Sequence, residues 1–104
     1  AVGQTAPFID ANIPRPRLLV FGIMSDKDVK AVTDTLFPLF DRIITTEPFP
    51  PRSVRADSFP GAIPIADPDE AFRAALASGE RSIVVTGSLY LAGAALRFFD
   101  KIAA

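Results

Sequence analysis

Residues 17–28 read RLLVFGIMSDKD, and this stretch decides the fold. It opens with four consecutive apolar residues, 18–21, followed by Gly22, a pattern typical of a strand buried on both faces. Asp26 is the predicted N-cap of a helix that Pro38 should end. The apolar residues of that helix recur on one face, at Val29, Val32, Leu36 and Leu39. A buried strand that turns at a glycine into a helix is the first half of a β–α–β unit.

The same alternation continues to the end of the chain. Further strands are predicted at 43–46, 62–65 and 82–85, with a short helical segment at 53–58. A second helix begins at Asp67, which Pro68 and Glu70 follow in the order typical of a helix start, and it ends at Gly79. A third helix follows Ser88. The predicted buried face of the second helix consists of Phe72, Ala75 and Leu76, and the third helix carries the apolar residues Leu91, Ala95, Leu96 and Phe99.

Strands that alternate with helices across short connections predict a parallel sheet with right-handed crossovers. Because the strands are almost wholly apolar, helices should cover both faces of the sheet. The predicted fold is a three-layer, Rossmann-like α/β domain with a mostly parallel sheet, over residues 17–104. Residues 1–16 are expected to be a remnant of a preceding helix or linker, with Phe8 and Ile9 on a helix end. The first residue is Ala1, so a fragment or a trimmed chain is expected.

Composition excludes several classes of function. The chain has 104 residues and a net charge of −1, with no run of basic residues, so neither nucleic acid nor an anionic membrane is an expected partner. With no cysteine and no histidine, disulfides, thiolate metal sites and a Ser-His-Asp triad are excluded, and no metal site is predicted. Residues 1–17 do not resemble a signal peptide, and no stretch is long enough to span a bilayer. The cytosol is therefore the default expectation.

Three positions should meet at the carboxyl edge of the sheet, where ligands bind in open α/β folds. Lys27 lies where a helix dipole disfavours a cation, which indicates a task for it. Gly87 and Ser88 form a small anion cradle of backbone N–H groups and a hydroxyl. Arg52 could bind a carboxylate with its two-pronged guanidinium. A surface lysine, a capping serine and an exposed loop arginine are the alternative interpretations, and the residues alone leave them open.

The motifs that would complete a catalytic site are missing. The sequence contains neither a Gly-x-x-x-x-Gly-Lys-Ser/Thr phosphate loop nor a Gly-x-Gly-x-x-Gly dinucleotide fingerprint. Acidic pairs occur at 26–28 and 67–70, where helix capping explains them. The residues alone therefore predict an α/β domain that binds a small anion without a complete catalytic apparatus.

Several segments, taken in order, resemble one family. They are LVFG and DKDV in 19–29, FDRIITT at 40–46, PRS at 51–53, DEA at 69–71 and VTGSLYLAG at 85–93. These segments resemble the C-terminal domain of the folylpolyglutamate and dihydrofolate synthases, which are Mur ligase-like amide ligases. The resemblance covers residue 17 to the end of the chain. The Asp-Gly-Ala-His-Asn hinge motif, which this family carries ahead of the first strand, is missing here.

The resemblance implies a function for the whole enzyme. A larger N-terminal domain of the same polypeptide would hold ATP and Mg²⁺ and activate a folate or pteroate carboxylate as an acyl phosphate. The amino group of L-glutamate would then form the amide. Within this chain, Lys27 and Ser88 would hold the glutamate carboxylates, and Arg52 and Tyr90 are weaker candidates. The chain alone is expected to be inactive, with no cofactor of its own.

Alternatives from another class remain open at this stage. One is a stand-alone regulatory or small-anion-binding α/β module without catalysis. A phosphoacceptor receiver domain is disfavoured because no lysine follows the last strand, at 86–88. Another is an interaction domain whose substrate residues have decayed. The sequence does not distinguish dihydrofolate synthesis from polyglutamylation, nor does it indicate an oligomeric state.

Overall fold

The structure, a computed structural model, describes residues 13–103, with only the backbone for residues 102 and 103. Its elements are β1 (Arg17–Phe21), α1 (Val29–Leu36), β2 (Arg42–Thr45), β3 (Ile63–Pro64), α2 (Pro68–Ala77), β4 (Ser82–Thr86) and α3 (Leu89–Ala103). Short 3₁₀ turns occupy Phe37–Leu39 and Ala56–Ser58. The predicted helix end at Phe8 and Ile9, and most of the predicted remnant 1–16, lie outside the described residues.

The strands form one parallel sheet of 4 strands in the order β3-β2-β1-β4. Strand β1 pairs with β2 on one side and with β4 on the other, and its five residues are all buried. Strand β4 forms one edge of this sheet, and its five residues are all half-buried. The predicted three-layer α/β fold with a mostly parallel sheet is confirmed.

Each face of the sheet has its own core, because successive side chains of a strand point to opposite faces. Leu18 and Val20 pack with residues of α2 and α3 on one face. Leu19 and Phe21 pack with Leu36 of α1 and with loop aromatic residues on the other. Helix α1 therefore covers one face, and α2 and α3 cover the opposite one.

The chain changes direction within the sheet. It moves from β1 to β2 and β3 on one side, then returns past β1 to β4 on the other. When crossovers keep one handedness, such a reversal places the helices on opposite faces. The helices that follow β1 and β4 consequently lie on opposite faces, and a groove lies between their first turns at the carboxyl ends of these neighbouring strands.

Two of the three helices begin where the sequence predicts, directly after Asp67 and Ser88, and one begins later than predicted. Asp67 caps α2 as predicted, by accepting a hydrogen bond from the N–H of Glu70 at 3.1 Å. Helix α1, however, is capped by Asp28, whose carboxylate accepts from Ala31 N–H at 3.3 Å, so the prediction of Asp26 was wrong. The reason is a turn, closed by a hydrogen bond from Lys27 N–H to the Met24 carbonyl, that contains Asp26 and delays the helix.

Two leucines of these helices are exposed, and one of them, Leu76, was predicted to be buried. Leu76 of α2 is 46% exposed and Leu96 of α3 is 70% exposed. Ala71 of α2 and Phe98 of α3 are buried instead, because α2 and α3 turn these residues toward each other and toward the sheet. The helical segment predicted at 53–58 is only the 3₁₀ turn at Ala56–Ser58, and the third strand is limited to Ile63–Pro64. The predicted ends of the first two helices, at Pro38 and Gly79, are confirmed.

Candidate functional site at the carboxyl edge of the sheet

Two glycines allow three turns to close on one another at the carboxyl edge of the sheet. Gly87 has a φ of +124°, and a Cβ at this position would overlap the carbonyl oxygen of Gly22. A Cβ at Gly22 would in turn lie 2.6 Å from Cδ of Pro48. The turn after β4 therefore contacts the turn after β1, and the turn after β1 contacts the turn after β2. This contact requires glycine at both positions, since any side chain would separate the turns.

Helix α3 begins without a negative charge. Ser88 caps it by accepting a hydrogen bond from Leu91 N–H at 3.0 Å, and its first turn contains no acidic residue. The positive end of the helix dipole and the free backbone N–H groups of the first turn are therefore not neutralised by the helix itself. The start of α3 is suited to hold a carboxylate or phosphate.

The loop that carries Arg52 is attached to the turn after β1. The Arg52 carbonyl accepts a hydrogen bond from Ser25 N–H at 2.8 Å, and the Ile23 carbonyl accepts one from Val54 N–H at 2.9 Å. These two bonds flank an isolated antiparallel bridge between the two segments. Backbone bonds of this kind place Arg52 beside the turn that contains Lys27.

An aromatic pair joins the same loop to helix α3. The rings of Phe49 and Tyr90 are parallel, with 4.7 Å between their centroids and 6° between their planes. Tyr90 is the second residue of α3 and lies two positions after Ser88. The three turns are thus connected on both sides of the site, by backbone hydrogen bonds and by stacking.

The three turns enclose a pocket of about 220 Å³. Its lining residues are Met24, Asp26, Lys27, Arg52, Ser88, Leu89 and Tyr90. A second, larger groove of about 590 Å³ lies next to it and shares Lys27, Ser88 and Leu89. The rest of this groove is mainly apolar and is lined by Ile23, Val32, Leu36, Val85 and Ala92, among others.

All four site residues predicted from the sequence line the smaller pocket. Lys27 and Arg52 are exposed, and within residues 13–103 neither side chain forms an ion pair or a hydrogen bond. The pocket therefore presents two cations whose charge no carboxylate pairs with. The meeting of these residues at one edge is confirmed, whereas their role in binding stays a prediction.

Sequence reasoning missed two features of the site. Asp26 was interpreted as a helix cap, but Asp28 takes that role, and Asp26 lines the pocket instead. Phe49 was not singled out, although its ring packs against a predicted site residue. An apolar aromatic residue in a loop rich in proline was the available signal, because such a ring is expected to find a partner.

Neither a cluster of metal-binding side chains nor a membrane-spanning helix occurs in the part of the chain that the structure describes. No group of three or more acidic side chains that could hold a metal ion occurs there. Within the same residues, no helix combines the length and the apolar character needed to cross a bilayer.

No family model matches the sequence, and no curated protein matches it significantly. Solved structures do match. A folylpolyglutamate synthase from Mycobacterium tuberculosis in complex with ADP aligns with a TM-score of 0.77 and 22% identity. The same enzyme in complex with ADP and AMPPCP aligns with a TM-score of 0.76 and 23% identity. The chain has the fold of one part of these enzymes.

A bifunctional folylpolyglutamate synthase/dihydrofolate synthase from Yersinia pestis, complexed with AMPPNP and a Mn ion, aligns equally well. Its TM-score is 0.77 at 18% identity. The alignments cover 93% to 94% of this chain but only 26% to 27% of the matched chains. The chain thus spans about a quarter of the length of these enzymes, and the resemblance read from its motifs extends to its fold.

Proposed function

We propose that this chain is the glutamate-binding domain of an ATP-dependent amide ligase. The reaction would add L-glutamate to dihydropteroate, to folate or to both, through an acyl phosphate. The proposal rests mainly on one observation, the meeting of Lys27, Arg52 and Ser88 in a single pocket beside the start of α3. The likeness of the fold to folylpolyglutamate synthases supports it.

The charges that line the pocket match those of glutamate. Two cations, Lys27 and Arg52, and the start of α3 at Ser88 are suited to two carboxylates. Asp26 is the one carboxylate among the lining residues, and it is suited to the ammonium group of an amino acid. A ligand with two negative charges and one positive charge therefore complements the pocket better than a simple anion does.

The residues of this chain would bind and orient the nucleophile. The ammonium group of glutamate would first lose one proton to become a neutral amine. The amine nitrogen would then form the new C–N bond with the acyl carbon, phosphate would leave with the electrons of the broken C–O bond, and the nitrogen would release a second proton. Holding both carboxylates, with Asp26 beside the amino group, would fix the orientation in which that group meets the acyl carbon. The contribution of this chain is consequently one of position and not of proton transfer.

The remaining steps of the reaction would be carried out by another domain of the same protein. ATP and Mg²⁺ would be held by an N-terminal domain of the same protein, and this chain alone would be inactive. The outer face of α3 supports a contact with such a domain, because Leu89 is 90% exposed and Leu96 is 70% exposed. Leu89 also lines the apolar groove, and exposed apolar surface beside such a groove is typical of an interface.

The proposal is tested by titrating the isotope-labelled chain with L-glutamate and following the backbone amide signals by NMR. We expect shifts at Gly87, Ser88 and Leu89 and in the turn at 24–28, at millimolar ligand concentrations. An absence of shifts at these amides, with the fold intact, would contradict the proposal for this chain.

A matched pair of ligands tests the charge complement. Asp26→Asn should weaken binding of L-glutamate by roughly tenfold, since a hydrogen bond between charged groups is lost. The same variant should bind glutarate, which lacks the amino group, as well as the parent chain does. Equal losses for both ligands would remove Asp26 from amino-group recognition.

A stand-alone module that binds small anions is the second candidate function. The uncompensated start of α3 favours it, because such a start accepts any small anion. Inorganic phosphate separates the two candidates. If phosphate and L-glutamate shift the same amides with equal affinity, and Asp26→Asn affects neither, the module without amino acid specificity is the better description.

A further inference from the structure

Phe49 has a ring that the cores of the domain do not use. It is 38% exposed and belongs to neither of the two core clusters, and its stacking partner Tyr90 is 49% exposed. The pair is located between the loop with Arg52 and the first turn of α3, at the rim of the pocket.

The backbone of Phe49 fixes the position of Arg52. The Phe49 carbonyl accepts hydrogen bonds from the N–H groups of Arg52 at 2.9 Å and of Ser53 at 3.0 Å. In the other direction, Phe49 N–H donates to the hydroxyl of Ser53 at 2.8 Å. The segment from 49 to 53 is therefore one closed turn, and a displacement of the Phe49 backbone would move Arg52 with it.

Tyr90 provides the fixed side of the contact. It lies two residues after the Ser88 cap, within the first turn of α3, next to Leu91, whose side chain is fully buried in the core. The ring of Tyr90 is thus anchored to the same helix start that would hold one carboxylate. The stack connects this anchor to the turn that presents the Arg52 guanidinium.

We propose that Phe49 is a specificity-determining positioning residue, which through its stack on Tyr90 sets the span between Arg52 and the start of α3. The site would then select dicarboxylates by the length of the chain between their two carboxylates. This inference rests on the proposed function, because it takes a dicarboxylate as the ligand. Tyr90 acts in it through its ring and not through its hydroxyl group.

The test uses the full chain and three probes of increasing length: succinate, glutarate and adipate. Affinities are measured by amide shifts at Gly87–Leu89, in the parent chain and in Phe49→Leu. The parent chain should prefer one length, and Phe49→Leu should reduce that preference by about two- to twelve-fold, the range expected for an aromatic pair. Tyr90→Phe and Phe49→Tyr keep both rings and should retain the preference.

Two results with Phe49→Leu would overturn the inference. One is a preference that is unchanged in Phe49→Leu. The other is a uniform weakening of all three probes, which a merely structural role would produce. Loss of the preference in Tyr90→Phe would also contradict it, because that result would assign selectivity to the hydroxyl group.

Hydrogen exchange separates this inference from the proposed function. Without any ligand, exchange of the Arg52 and Ser25 amides should become about two- to twelve-fold faster in Phe49→Leu, because the loop loses its attachment to α3. Unchanged exchange rates would refute the positioning role. If no dicarboxylate binds the parent chain, the proposed function fails and the length selection fails with it, even when the exchange rates change as expected.

Discussion

Helices α1 and α3 both begin at the carboxyl edge of the sheet, but their caps differ in charge. Asp28 caps α1 with a carboxylate, and α2 begins in the same manner at Asp67, with Asp69 and Glu70 in its first turn. Ser88 caps α3 with a neutral hydroxyl, and no acidic residue follows in the first turn. The start of α3 is therefore stabilised by its cap, but no negative charge neutralises the positive end of its dipole.

The difference separates structural charge from charge that is available to a ligand. A carboxylate cap satisfies both the N–H groups and the dipole of its own helix, which leaves little attraction for an external anion. A serine cap satisfies an N–H group but carries no charge, so the positive end of the helix dipole remains available to an external anion. The uncompensated start of α3 lies in the pocket that also contains Lys27 and Arg52, and this coincidence locates the candidate site.

The largest effect is expected from Gly87→Ala, which separates the start of α3 from the turn after β1. Its methyl group would overlap the Gly22 carbonyl and would also require an unfavourable positive φ. We expect a loss of about 3 kcal/mol or more in the free energy of unfolding, measured by urea denaturation.

Gly79→Ala is the matched control for this variant. Gly79 also has a positive φ, of +78°, but no atom lies within 4 Å of the position of its missing Cβ. Only backbone strain remains, so the loss should be about 1 kcal/mol. Similar losses in the two variants would show that the close contact between the turns contributes nothing to stability.

Ser88→Asp tests the comparison directly, because it makes α3 begin as α1 does. Asp and Ser are nearly equivalent caps, so the free energy of unfolding should change by no more than about 0.5 kcal/mol. Affinity for L-glutamate should fall tenfold or more, because the new carboxylate repels the ligand. An unchanged affinity in the NMR titration would exclude the start of α3 from the site.

Two milder replacements of Ser88 distinguish capping from binding. Ser88→Ala should cost about 1 kcal/mol of stability, whereas Ser88→Gly should cost only a few tenths. If the hydroxyl donates to a carboxylate, both variants should weaken L-glutamate binding several-fold. A Gly variant that binds L-glutamate like the parent chain would reduce Ser88 to a structural residue.

The smallest effect belongs to Asp41, a carboxylate at the opposite edge of the sheet. The pKa of Asp41 is lowered from 3.8, chiefly because Arg17 N–H donates to it at 2.7 Å, with a further contribution from Arg15 at 2.9 Å. Since the pKa is lower in the folded state, the stabilisation is complete above about pH 4 and is lost as the pH falls through the folded value. Asp41→Asn should flatten the acid limb of a plot of stability against pH. An unaltered acid limb would contradict this assignment.

Much of the fold could be predicted because its signals are local. Apolar runs, turn glycines and the cap at Asp67 act over about one turn of helix, so β1, α2 and β4 were predicted within a few residues. The positions of Lys27 and Ser88 at strand ends followed from the same patterns. The buried face of a helix is less local, because it depends on the neighbour that packs against it, and Leu76 was therefore assigned wrongly to the buried face of α2.

The sequence by itself determined the alternation of strands and helices, the parallel sheet and the set of residues at its carboxyl edge. Only the tertiary structure decided how these residues meet. The order of the strands places β4 beside β1, and this brings Gly87 against Gly22, although 65 positions separate them in the sequence. The tertiary structure also decided that Phe49 stacks on Tyr90 and that Asp26 lines the pocket. Such contacts join residues that are distant along the chain, and no local propensity encodes them.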